Sequence, residues 1–309
     1  MENKIINVQN RAENLDCLAS MRYLYSRAKY YMKWQVFLNV IFIAVLSIIA
    51  YLTNSNLLWF KYDLSAHLAL ISIVVTLVST LVFVPIIKNK KELAAKIQEK
   101  FDTKVLSLNW NIVNVGSLPD NEDIKLYAEK FKEKKNLADL KDWYASSVAS
   151  VPFDIARFLC QRSNLVWNVG LRKEYIKRVI KFSVFFSILI ASFGLLADIT
   201  FTNLVLNVAT PLLPIVAFCI EQYKENKDSI ENLEKLKQDM DSYWIELIEK
   251  KDSIESETFA RKIQDEIYKN RKDNQLFFDE IYDKLKNKYE GAMYYNVQQM
   301  VDEYNNSII

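Results

Sequence analysis

Glycine, proline, cysteine and histidine are all scarce in this chain, and each shortage removes a class of function. Four glycines in 309 residues cannot build a dinucleotide-binding GxGxxG loop or a Walker phosphate loop, and neither motif occurs. Few glycines and only five prolines also mean few tight turns, which favours long helices over many short strands. Cys17, Cys160 and Cys219 lie far apart with no CxxC pair, and His67 is the single histidine. An ordinary zinc site and a Ser-His-acid arrangement are thereby excluded. Three widely spaced thiols fit a reducing cytosol better than a disulfide scaffold. Acidic pairs such as Asp265–Glu266 sit on a charge-rich segment and read as solvated surface. No catalytic residue, no metal and no resident cofactor is expected, and the chain does not read as an enzyme. The N-terminus MENKIINVQN has no apolar core, so no cleavable signal peptide is expected.

What is present is apolar sequence gathered into two blocks, with charge outside them. Trp34 to Phe60 and Leu64 to Ile87 carry no formal charge. About 20 apolar residues cross a bilayer as a helix, so residues 34–87 read as a transmembrane hairpin with crossings near 34–53 and 64–87. Phe182 to Ile220 is too long for one span and fits a second hairpin, residues 179–220, turning at Asp198 with crossings near 179–197 and 203–220. Lysine and arginine crowd the start of the first crossing, the end of the second, the start of the third and the region after the fourth. By the positive-inside rule both termini and the middle lie in the cytoplasm of a bacterial inner membrane, and the chain is multi-pass.

Three segments remain outside lipid. Residues 1–33 read as an amphipathic lead-in helix, with Leu15, Leu18, Met21, Leu24 and Tyr25 at helical spacing. Residues 88–178 form a cytoplasmic middle region. Val105 to Val115 there is β-prone and reads as a strand or short hairpin; helices follow at 123–136 and across 139–165, broken at Pro152. Residues 221–309 form a helical tail in which Leu233, Leu236, Met240, Tyr243 and Leu247 keep a three-four spacing, for about two heptads of coiled coil or a packed bundle. The fold class is therefore all-α: a membrane protein with four transmembrane helices in two hairpins and a mostly helical cytoplasmic domain.

Charge is uneven along the chain. Residues 157–220 carry seven basic and two acidic side chains, and residues 221–309 carry fourteen basic and twenty-one acidic. A uniformly basic nucleic-acid binder is excluded, and no DNA or RNA partner is expected. The densest basic and aromatic cluster runs from Asp142 to Lys181 and leads into the third crossing. Arg157, Gln161, Arg162, Arg172 and Lys173 are its anion-binding candidates, because a guanidinium fork grips phosphate with two hydrogen bonds. Trp143, Tyr144 and Trp167 are candidates for stacking on a base. The alternative for the arginines is ion pairing with Asp142 and Asp154 inside the soluble domain. Within the crossings, Ser72, Thr76 and Ser79 share one face of the second helix. Asn203, Asn207 and Thr210 share one face of the fourth. Such stripes line a water path once several copies assemble, or they join neighbouring helices by hydrogen bonds.

The run Asp142-Trp143-Tyr144, Val151-Pro152, Ile155-Ala156-Arg157, Cys160-Gln161-Arg162, Asn164-Leu165, Trp167 and Leu171-Arg172 resembles the signature block of the S-4TM family. These are SMODS-associating four-transmembrane effectors. An N-terminal pattern of Gln9-Asn10, Leu15, Met21-Arg22, Leu24-Tyr25 and Ala28-Lys29 is similar to the same family. So is a C-terminal one of Arg261, Gln264-Asp265, Ile267-Tyr268, Arg271, Phe278-Asp279, Tyr282 and Met293. The resemblance implies a pore-forming effector of bacterial anti-phage defence. It also implies activation by a cyclic oligonucleotide from a partner nucleotidyltransferase, and assembly of several copies in the bilayer. A reading from another class is a membrane-anchored interaction module whose helical tail recruits a protein partner. A constitutive transporter is weakened by the lack of charged residues within the spans.

Overall fold

The computed structural model describes residues 3–43, 45–46, 49, 53, 65–196, 201–205, 210–250 and 257–308. Among them every regular element is helical and no strand occurs. The chain divides into two units: Met1–Arg27, Asn89–Lys173 and Lys227–Ile309 make the first, Ala28–Lys88 and Glu174–Asn226 the second.

The first unit begins with α1 (Ile5–Gln9) and α2 (Ala12–Val36). The apolar stripe read from the sequence faces inward: Leu15, Leu18, Met21 and Leu24 are all buried. At the centre lies α4 (Val84–Val105), in which every residue from Ile97 to Thr103 is buried. A helix closed on all sides must place its polar groups against partners, since an unpaired buried charge is costly. Glu99, Lys100 and Asp102 lie in that stretch and do so. Lys100 Nζ, for example, donates to Pro119 O and to Asn121 Oδ1 at 3.1 and 2.8 Å.

The β-prone segment is not a strand. Val105 closes α4, Ser107 turns the chain at a φ of 49°, and Ile112–Val115 form the single-turn helix α5. Asn111 caps α5, its side chain accepting from the Val113 and Asn114 amides. Gly116, at a φ of 81°, ends it and accepts from Trp110 Nε1. Val105, Leu106, Leu108 and Val115 spend their apolar surface on the helical core, so the burial that β-propensity anticipates is met without a ladder.

Beyond α6 (Asn121–Lys132) the chain makes two 3₁₀ turns, Leu137–Leu140 and Ser146–Ser150. Pro152 then precedes α7 (Phe153–Leu196), with Asp154 in the first turn where a carboxylate favours the helix dipole. After α8 (Phe201–Leu204) come α9 (Thr210–Lys250), α10 (Glu257–Asp273) and α11 (Asp279–Ile308). Leu233, Met240, Trp244 and Leu247 of α9 are buried, so the three-four spacing of the tail belongs to a packed bundle. Gly170 on α7 allows the Tyr289 ring of α11 to approach; a β-carbon there would lie 2.5 Å from Tyr289 Cε1.

The second unit holds the apolar sequence. α3 (Ser65–Val78) passes through a π-helical turn, Ser79–Phe83, into α4, and α2 passes into another, Phe37–Phe42. Leu70, Leu81, Phe185 and Ile188 of this unit are each more than 60% exposed, an apolar surface suited to lipid rather than water. Among the described residues one helix, Ala66–Val105, is long and apolar enough to cross a membrane. Of the four expected crossings the second lies in that helix. The other three each run into residues outside those described.

Candidate functional site

Within the first unit an open cleft gathers residues from four parts of the chain. α2 contributes Arg22, and the loop after α6 contributes Asp139, Lys141, Trp143 and Tyr144. Ser163, Asn164 and Trp167 come from α7, and Glu290 and Met293 from α11.

The loop is held by side chains far from it in sequence. Asp142 sits at a φ of 53°, a strained backbone for a residue with a β-carbon. Asn10 fixes it from both sides: Asn10 Nδ2 donates to Asp142 Oδ1 at 2.8 Å, and the Asp142 amide donates to Asn10 Oδ1 at 3.0 Å. The Tyr294 hydroxyl donates to Asp142 O at 3.0 Å. Gln9 treats Tyr144 in the same way, accepting from its amide at 2.8 Å and donating to its carbonyl. Local strain held at Asp142 by two separate side chains, Asn10 and Tyr294, is a mark of a preorganised site. Within the cleft the Arg22 guanidinium lies 5.4 Å over the Trp143 ring, and Trp167 meets Tyr289 edge-on at 6.5 Å.

Beneath Tyr144 the cleft connects to a buried charge network. The Tyr144 hydroxyl donates to Asp102 Oδ1 at 2.7 Å and accepts from Asn164 Nδ2 at 3.2 Å. Burial, and then Asp102, hold the phenol well above its usual range, so it stays protonated and donates at neutral pH. Asp102 Oδ2 accepts from Arg271 Nη1 at 2.5 Å and from Gln264 Nε2 at 3.0 Å. Gln264 also donates to Glu99, which accepts from Arg261 Nη2 at 2.6 Å. Glu99 and Asp102 have no exposed surface. Burial, then the neighbouring Asp102, raise the Glu99 carboxyl against the pull of Arg261 and Gln264. Burial disfavours the Arg271 charge, but Asp102 more than offsets this and the net direction is up. Two carboxylates thus meet two guanidiniums, the condition under which buried ions persist.

The structure brings Trp143, Tyr144 and Trp167 together in the cleft and leaves the five polar candidates out of it. Arg157 pairs with Asp154 at 2.8 Å and lies over the Phe153 ring. Gln161 is fully buried and donates to Ala260 O and Gln264 Oε1. Arg162 Nε and Nη1 donate to Asp241 and Asn296, both at 2.6 Å. Burial alone would raise Asp241; Arg162 and Lys237 overcome it and hold that carboxyl below its usual value. The Arg172 guanidinium sits 4.8 Å over Phe277, and Lys173 pairs with Glu234. Of the ion pairing anticipated for the arginines, Asp154 is a partner, but Asp241 replaces Asp142. Sequence reading passed over Lys141, Asp139, Ser163 and Glu290 as site residues. Arg22, Asn164 and Met293 fall at positions of the family resemblance, and Arg22 also belongs to the basic residues before the first crossing.

In the second unit Ser79 is buried and Gln35 Nε2 donates to its hydroxyl at 3.1 Å, an interhelical bond. Thr76 Oγ1 donates to Ser72 O on its own helix. Tyr175 and Gln222 join α7 to α9 at 2.8 Å. Asn203 lies on α8 and Thr210 opens α9, while Asn207 lies outside the described residues.

Comparison with known proteins agrees over nearly the whole chain. The family profile of the SMODS-associating 4TM effector domain matches residues 3–300. A probable CBASS effector molecule of Bacillus cereus (strain VD146) is 28% identical over 239 residues, covering 75% of this chain and 77% of that protein. No solved structure matches.

Proposed function

The chain belongs to the SMODS-associating 4TM effector family, and we propose that it is a CBASS effector that binds a cyclic oligonucleotide in the Trp143–Trp167 cleft and answers by opening a membrane pore. It acts without catalysis, as a multi-pass inner-membrane protein with both termini in the cytoplasm, several copies assembling around the conducting path. One observation carries the reading. α7 lines the cleft with Ser163, Asn164 and Trp167 and continues without a break to Leu196, in the apolar run of the second unit. A ligand seated on those side chains acts directly on a helix that enters the apolar unit. Six of the ten lining residues are positions on which the family resemblance was read, drawn from its N-terminal, central and C-terminal blocks.

The chemistry suits a nucleotide. Indoles offer stacking faces at about 1–3 kcal/mol per base. Arg22 and Lys141 reach the same space and suit phosphate. Each charge-assisted bond contributes about 1.5–3 kcal/mol. Two made in only one conformation shift its population about a hundredfold or more, since 1.4 kcal/mol is tenfold. For conduction the reading keeps the polar faces of Ser72, Thr76, Asn203, Asn207 and Thr210. Ser79 acts there as a clamp to Gln35.

The test is dye release from proteoliposomes holding purified protein, titrated with a panel of cyclic oligonucleotides. One of them should open the vesicles, and Trp143→Ala and Trp167→Ala should abolish both release and binding. Binding without release would favour the membrane-anchored interaction module. Release unaffected by either tryptophan would move the ligand site elsewhere.

A further inference from the structure

The geometry points to a cleft that selects a guanine-type base, one that presents adjacent N–H donors, with Asp139 and Glu290 as the selecting residues. The inference rests on reading the cleft as a nucleotide site. Its lining carries two cations, Arg22 and Lys141, and two carboxylates, Asp139 and Glu290, so its formal charge sums to zero. A cleft built for phosphates alone would not place two carboxylates among its walls, because they repel the ligand they help to enclose. Carboxylates are useful where a ligand offers donors. At neutral pH they only accept, and each has two oxygens side by side.

The Watson–Crick edge of guanine offers N1–H and the N2 amino group side by side, a match for one carboxylate. The same edge of adenine puts an N1 lone pair beside its single amino group and would face a carboxylate with an acceptor. A site built to hydrogen-bond a donor discriminates strongly against an analogue lacking it.

Both carboxylates sit on fixed supports. Asp139 belongs to the 3₁₀ turn Leu137–Leu140, three residues before the Asp142 backbone that Asn10 and Tyr294 pin. Glu290 lies on α11. The Tyr294 hydroxyl has one proton and lies nearer to Asp142 O, at 3.0 Å, than to Glu290 Oε1, at 3.4 Å. The Glu290 carboxylate therefore keeps acceptor capacity for a ligand. Trp143 and Trp167 bring aromatic rings to the same cleft.

The experiment measures binding of cyclic di-GMP, cyclic GMP–AMP and cyclic di-AMP to the full chain in detergent. Wild type should favour the two guanine-bearing probes by about tenfold or more, the scale of one charge-assisted hydrogen bond. Asp139→Asn, Glu290→Gln and the double variant should erase that preference: guanine-bearing probes lose affinity, while cyclic di-AMP, no longer faced by a carboxylate, binds as tightly or more tightly, and thermal melting shows that the variants fold. Equal wild-type affinity for the three probes, or a preference that survives in the double variant, overturns base selection. If Trp143→Ala and Trp167→Ala weaken every probe while no guanine preference exists, the cleft stands and only the selection is wrong. If those tryptophan variants change nothing, or no probe binds at all, the cleft reading and the selection fall together.

Discussion

Gly170→Ala tests the packing that supports the cleft, and Gly291→Ala supplies its control. Both glycines lie inside long helices, α7 and α11. In a helix interior, glycine to alanine by itself stabilises by about 0.8–1.0 kcal/mol. At Gly291 a β-carbon meets nothing within 4 Å, so this gain should appear undiminished. At Gly170 the new carbon would lie 2.5 Å from Tyr289 Cε1 and 2.7 Å from Cδ1, closer than carbon atoms approach. The ring must move, and overpacking of this kind costs about 1–3 kcal/mol. Comparing the two variants cancels the helix term and leaves the clash. Gly170→Ala should therefore melt below Gly291→Ala by about 2–12 °C, taking about 2–4 °C per kcal/mol for a domain of this size. Tyr289 also meets Trp167 edge-on, so the displaced ring disturbs the cleft and ligand affinity falls several-fold. Thermal melting in detergent and ligand titration read the two effects. In a Tyr289→Ala background the penalty of Gly170→Ala should vanish. A Gly170→Ala protein that melts as high as Gly291→Ala, with unchanged affinity, would refute the close α7–α11 packing.

Arg162→Ala should lower stability by about 1–3 kcal/mol by removing charged hydrogen bonds to Asp241 and Asn296, and should leave nucleotide affinity intact. Loss of binding at unchanged melting would restore Arg162 as a ligand residue. Because the folded state raises the Glu99 carboxyl, it holds that proton more tightly than the unfolded chain, and this contribution to stability is lost as pH climbs above about 4.5 toward the raised value. Denaturant unfolding across that window should show the slope in wild type and a flatter profile in Glu99→Gln; identical profiles would contradict it. Ser79→Ala should weaken the first hairpin by about 0.6–1.7 kcal/mol through loss of the Gln35 bond. Thr76→Leu and Asn207→Leu should instead lower ion flux without disturbing insertion, and unchanged flux in both would mark those residues as joining helices only. Reporter fusions should place Ile309 in the cytoplasm, whereas a periplasmic C-terminus would sink the two-hairpin topology.

What the sequence determined by itself follows from local physics. Scarce glycine and proline, with apolar stripes at helical spacing such as Leu15, Leu18, Met21 and Leu24, specify helices, and every regular element among the described residues is helical. Pro152 breaks the chain before α7 because it cannot donate in a helix interior. The Asp142–Lys181 block was legible as the place where a basic, aromatic segment enters apolar sequence. The segment 139–152, expected as helix, forms only two 3₁₀ turns joined by loop, and Val105–Val115, expected as a strand or short hairpin, shows the limit of propensity: branched and bulky side chains ask for burial, and a helical core supplies it as well as a sheet. The roles of individual residues were decided by tertiary structure. Arg157, Arg162 and Arg172 looked alike in sequence, yet each met a different partner, Asp154, Asp241 and the Phe277 ring. Arg22, from a helix more than a hundred residues away, became one of the two cations at the cleft, beside Lys141. A charged side chain has no fixed function until its surroundings set its solvation and its counter-charge. Those surroundings are made by α2, α9 and α11, whose spacing along the chain carries no record of the distances between them in space.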